Sequence, residues 1–105
     1  MLNERVTFEV RDGPDGRYLI ASGEIDMASG PIFAVAIARL LAASGEVTVD
    51  MSDVTYMDST GLHVLCTAAS RGSVRLLDVS RPVRRIIEIA GLEDTLLIES
   101  TTQPG

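Results

Sequence analysis

Val47-Thr48-Val49-Asp50-Met51-Ser52-Asp53-Val54-Thr55-Tyr56-Met57-Asp58-Ser59-Thr60-Gly61-Leu62 is the stretch that decides how this 105-residue chain is read. It opens with a short β-branched run, Val47–Met51, whose apolar start suits a central strand. It closes with the residue types of a helix N-terminus: Asp58 or Ser59 can cap free amide groups, and a nearby acidic charge suits the helix dipole. A strand therefore hands the chain to a helix that should begin at Ser59 or Thr60 and end before Gly72. Helix capping does not explain Gly61, because glycine is a poor helix former. A missing side chain so early in the helix lets another backbone approach closely, which suits a docking surface.

Toward the N-terminus, Ser29-Gly30-Pro31 is a helix-start signal, with Ser29 as the cap and proline tolerated in the first turn. The helix it opens places Phe33, Ile37, Leu40 and Leu41 on one face, and Gly45 stops it. Before it, residues 5–11 and 17–23 read as two strands, the first by its alternation of apolar and polar residues. Asp12-Gly13-Pro14-Asp15-Gly16 is dense turn chemistry that makes them a hairpin. Toward the C-terminus, Val74–Asp78 is a further strand. Ser80 caps a third helix whose Val83, Ile86, Ile87 and Ala90 form a stripe ended by Gly91. Leu96-Leu97-Ile98 can add an edge strand, and the tail from Ser100 to Gly105 should fray.

Strands alternating with helices after a hairpin predict a single α/β domain. Its mixed sheet should hold four to five strands, with about three helices and right-handed crossovers. In such units functional groups gather at the carboxyl ends of strands and the amino ends of helices. Two junctions of this kind carry unusual sequences: Gly23-Glu24-Ile25-Asp26, and the segment from Val54 to Leu62.

Composition narrows the function. Apolar residues make up 46% of the chain and aromatics 4%, so the core must be aliphatic. The net charge is −6, which disfavours phosphate backbones and anionic lipid and favours a partner with a basic face. Cys66, the only cysteine, cannot form an internal disulfide and reads as a small buried hydrophobe. The segment from Met1 to Val10 lacks the apolar core of a signal peptide, and no apolar run approaches the ~18 residues of a membrane span; a cytoplasmic location is expected. No P-loop or dinucleotide fingerprint is present, and Ser59 sits in no nucleophile elbow, so the chain is read as a non-enzyme without cofactor or metal.

The segment from Val47 to Leu62 resembles the signature of STAS domains, especially of bacterial anti-sigma-factor antagonists: a hydrophobic strand ending in Asp, a polar turn, then Asp-Ser-Ser/Thr-Gly-Leu. Gly23-Glu24-Ile25-Asp26 is similar to their other hallmark. Ser80-Arg81-Pro82-Val83-Arg84-Arg85-Ile86-Ile87 and Ala90-Gly91-Leu92 resemble their third helix and its exit. By this resemblance Ser59 aligns with the serine that a partner anti-sigma factor, a kinase of the GHKL ATPase class, phosphorylates with ATP. Asp58 aligns with the acid beside it, and Glu24 and Asp26 with the acidic loop that helps dock the partner. Thr60, Gly61 and Leu62 complete the docking set. The unphosphorylated antagonist binds the kinase and frees the sigma factor, and a PP2C-type phosphatase restores the serine.

Two departures accompany the resemblance. The second helix is about four residues shorter than in typical relatives, roughly one turn. The chain also stops soon after Ile98, where many relatives add a terminal helix. Both favour the alternative of a non-switching STAS subunit in a sensory complex or transporter; a weak nucleotide-binding module is a third reading. His63 reads as a solvated or interface histidine, Asp50 and Asp53 as loop tethers, and Arg81, Arg84 and Arg85 as a solvated face.

Overall fold

The computed structural model describes residues 6–100. The expected fraying of the tail concerns, beyond Ser100, residues outside that range. Strand β1 (Val6–Gly13) turns into β2 (Gly16–Ile25), followed by α1 (Gly30–Ser44), β3 (Glu46–Met57), α2 (Ser59–Ala69), β4 (Ser73–Leu77), α3 (Arg81–Ile89) and β5 (Leu97–Glu99). The five strands lie side by side in chain order. β1 is antiparallel to β2 and every later pair is parallel. This is the single α/β domain with a mixed sheet and three helices that the alternation implied.

The register sorts the sheet into two faces. Leu19 pairs with Val49 and Val49 with Leu76. These, with Ala21, Val47, Met51 and Val74, are buried together with Phe33, Ile37, Leu40 and Leu41 of α1, Leu65 of α2, and Val83 and Ile87 of α3 in one core. Neighbours of opposite parity, such as Ile20, Thr48, Asp50 and Leu77, stay partly open. The helices therefore share one core on one face of the sheet. The one aromatic pair among the described residues, Phe8 and Phe33, stacks at 5.2 Å across the sheet–α1 boundary.

Sequence expectations fail locally where a side chain finds a better partner. Neither Ser29 nor Ser80 makes a side-chain cap bond. Ser29 Oγ donates instead to the Glu24 carbonyl at 3.1 Å, and Ser80 Oγ to the Val54 carbonyl at 3.0 Å; each ties a helix start to a strand. β3 does not end at Met51 but runs on to Met57. Asp50 Oδ1 accepts from Ser52 N–H and Oγ at 2.9 and 2.7 Å, and the register against β2 shifts beside this point. The expected polar turn is thus a bulge within one strand. Ala90 is exposed rather than part of the α3 stripe. Gly45 does end α1, in the left-handed conformation (φ 81°) with its N–H on the Leu41 carbonyl. Cys66 lies exposed on the outer side of α2, because α2 buries Gly61, Leu65 and Ala68 instead.

Candidate functional site

The two unusual junctions meet at one corner. β2 and β3 pair at their carboxyl ends, Glu24 beside Tyr56 and Ile25 beside Met57. The Asp58 N–H then donates to the Ile25 carbonyl at 3.1 Å. The loop before α2 is thereby fastened to the loop before α1.

Asp58 is the true cap of α2. Its Oδ1 accepts from the Thr60 N–H at 2.8 Å, which satisfies one of the orphan donors of the first turn. Thr60 faces inward along the corner: a Cβ placed on Gly30 would come within 2.5 Å of Thr60 Cγ2. Gly61 is buried, and a Cβ there would come within 2.4 Å of Met57 Cγ and 2.9 Å of Ile25 Cγ2. The close approach that Gly61 permits is therefore to this chain's own β2 and β3 ends, not to a docking surface, which corrects the reading drawn from its early place in the helix. Leu62 is half-buried against the core.

Ser59 stands apart from these neighbours. It is the first residue of α2 and is exposed. Among the described residues its hydroxyl has no hydrogen-bond partner. Of the two hydroxyls in Asp58-Ser59-Thr60-Gly61, that of Ser59 is on the exposed side chain, while Thr60 is half-buried against the start of α1.

The acidic loop has its own architecture. Asp26 Oδ1 accepts from the N–H groups of Ala28 and Ser29 at 3.0 and 3.2 Å, while the Asp26 N–H donates to Ser29 Oγ at 3.0 Å. Asp26 thus shapes the turn into α1 besides adding charge to the corner; Glu24 is half-buried on the adjoining strand. Sequence reasoning passed over two large side chains here. Met27, at the tip of the turn held by Asp26, is 78% exposed, and Tyr56, opposite Glu24, is 49% exposed. Nothing in the residue types marks them, since their exposure follows from strand parity and turn geometry.

The remaining candidates lie elsewhere. His63 is exposed on α2, above the groove between α1 and α2. Arg84 pairs with Glu88 at 3.5 Å on the outer face of α3, as a solvated face would. Arg11, toward the hairpin turn, has its proton affinity displaced: the hydrogen bond and charge of Glu9 raise its pKa. Among the described residues no three His, Cys, Asp or Glu side chains come together as a metal site, and no helix is long and apolar enough to cross a membrane.

Known proteins are similar to this chain in architecture and in sequence. The anti-sigma-B factor antagonist of Bacillus subtilis (strain 168) is 28% identical, over 95% of this chain and 96% of its own length. The crystal structure of an anti-sigma factor antagonist from Mycobacterium paratuberculosis superposes with a TM-score of 0.80 at 27% identity, over 90% of this chain and 85% of that one. The Bacillus cell-fate determinant SpoIIAA has the same fold in both its forms. The TM-score is 0.72 for the unphosphorylated form, at 19% identity over 92% of this chain and 90% of that one. For the phosphorylated form it is 0.66, at 18% identity over 92% and 93%. The family described as Mlab, STAS domain matches residues 9–99. By that match, this chain belongs to the STAS domain family.

Proposed function

We propose that this protein is an anti-sigma-factor antagonist whose unphosphorylated form binds an anti-sigma kinase of the GHKL class, and that phosphorylation of Ser59 ends the binding. The observation that carries the reading is the exposed, unpartnered Ser59 hydroxyl at the start of α2, in a chain similar along nearly its whole length to an anti-sigma-B factor antagonist.

The physical chemistry of the corner supports a switch that leaves the fold intact. A phosphate adds about −1.5 to −2 charges at pH 7. At a helix N-terminus that charge is tolerated, because the dipole and free N–H groups favour anions. Asp58, however, has committed its carboxylate to the Thr60 N–H, so the phosphate stands beside a fixed negative charge. Glu24 and Asp26 border the same corner. Covering this surface with a partner would bury an unmatched dianion at a cost of several kcal/mol, and each ~1.4 kcal/mol is tenfold in affinity. Glu24, Asp26, Asp58 and Leu62 form the docking surface around Ser59, while Thr60 and Gly61 serve it by setting the position of α2. A PP2C-type phosphatase resets the switch.

The test is transfer of phosphate by the cognate kinase with ATP. Intact-protein mass spectrometry should show one phosphate added to the native chain and none to Ser59→Ala. Phosphate on Ser59→Ala, or no transfer to the native chain, would remove the basis of the reading.

A further inference from the structure

Helix α1 has two apolar faces and only one of them is used. Of its fifteen residues, Gly30–Ser44, the one charged side chain is Arg39. The inner face is buried in the core, but the outer face leaves Ile32 59% and Val35 52% exposed, with Ala38, Ala42 and Ala43 exposed beside them. A helix that is apolar all round is ordinarily covered on all sides. Such a face is unexpected in a chain with a quarter of its residues charged and a net charge of −6.

The shape of this surface matches itself. α1 is a ridge with a groove on each flank. Toward the hairpin runs a cavity of about 940 Å³ lined by Phe8, Val10, Ile32, Val35 and Arg39 among others, with Val10 48% exposed at its lip. Toward α2 runs another of about 490 Å³, lined on the α1 side by Ala34, Ala38 and Ala42 among others. A ridge between two grooves fits a second ridge of the same kind. The large residues Ile32 and Val35 lie in the N-terminal half and the small Ala42 and Ala43 in the C-terminal half, so an antiparallel copy sets large against small.

The charges point the same way. Arg39 has no ion-pair partner among the described residues, and neither have Asp15 and Glu46, which line the same groove. One unpaired cation and two unpaired anions in one groove are complementary across a two-fold axis, where each copy presents both signs. The other two arginines of the groove, Arg17 and Arg75, are paired with Asp12 and Glu99, and a net charge of −6 disfavours an anionic lipid surface.

We propose that the outer face of α1 is a homodimer interface, with Ile32 and Val35 of one copy seated against the small residues of the other and Arg39 facing Glu46 across the axis. The interface is separate from Ser59 and does not depend on the switch. Sedimentation equilibrium of the full chain across about 1–500 μM should show a reversible monomer–dimer equilibrium. Val35→Glu, counted twice at a two-fold interface, should raise the dimer dissociation constant about a hundredfold or more while leaving the circular dichroism spectrum of the folded chain unchanged. Arg39→Glu and Glu46→Arg should each weaken self-association, and an equimolar mixture of the two should recover it as a heterodimer. A chain that stays monomeric throughout overturns the proposal. So does a dimer indifferent to Val35→Glu, which would place the contact at another surface such as the β1 edge. A mixture of charge variants that fails to recover association overturns the Arg39–Glu46 pairing.

Discussion

Gly30 and Thr60 lie so close that a single methyl group on Gly30 would come within 2.5 Å of Thr60 Cγ2. This contact joins the first turn of α1 to the first turn of α2, and it complements the Asp58–Ile25 hydrogen bond that joins the loops before them. The corner bearing Ser59 is therefore one packed unit built from two distant stretches of sequence.

Gly30→Ala tests that unit. Alanine is the better helix former by about 1 kcal/mol, so α1 alone would gain. The clash with Thr60 should instead make the substitution destabilising by about 1–3 kcal/mol, as overpacking does. In denaturant unfolding, Thr60→Ser, which removes the offending methyl, should recover most of the loss in the double variant. Additivity of the two changes would mean the contact is not tight.

Gly61→Ala should be at least as costly, since the new methyl meets Met57 and Ile25 in the buried joint between β2, β3 and α2. The same measurement should show a lowered midpoint with an unchanged denaturant slope. A neutral result would return Gly61 to the role of a surface glycine.

Asp58 carries a structural duty and a charge, and two substitutions separate them. Asp58→Ala loses the bond to the Thr60 N–H and should cost about 1 kcal/mol. Asp58→Asn keeps an acceptor there and should cost little stability, while changing partner affinity through the lost charge alone. Equal destabilisation by both would show that the cap is not what Asp58 supplies.

Cys66 should react completely with a maleimide or an aromatic disulfide in the native protein, without denaturant, because it is exposed on α2. Protection until unfolding would restore the buried placement expected from its apolar sequence neighbours.

These contrasts show what was legible in the residues. Periodicity placed Phe33, Ile37, Leu40 and Leu41 on the buried face of α1, and turn chemistry placed the hairpin and Gly45, because both signals are local. The Asp-Ser-Thr-Gly corner could be located at a strand–helix junction for the same reason. What Gly61, Ser29 and Ser80 do was not legible. Their partners, Met57 and Ile25, the Glu24 carbonyl, and the Val54 carbonyl, are brought to them by sheet register rather than by sequence spacing. Cys66 was misplaced by a similar route: Leu65 beside it takes the inward position, and one residue along a helix turns the side chain by about 100°.

The central claim concerns one hydroxyl. The most direct measurement is isothermal titration of the anti-sigma kinase with this protein, unmodified and then carrying a single phosphate on Ser59. The account predicts binding by the unmodified chain and at least about a hundredfold weaker binding by the phosphorylated one, with the same thermal melt for both. Equal affinities, or a phosphorylated chain that binds more tightly, would contradict it.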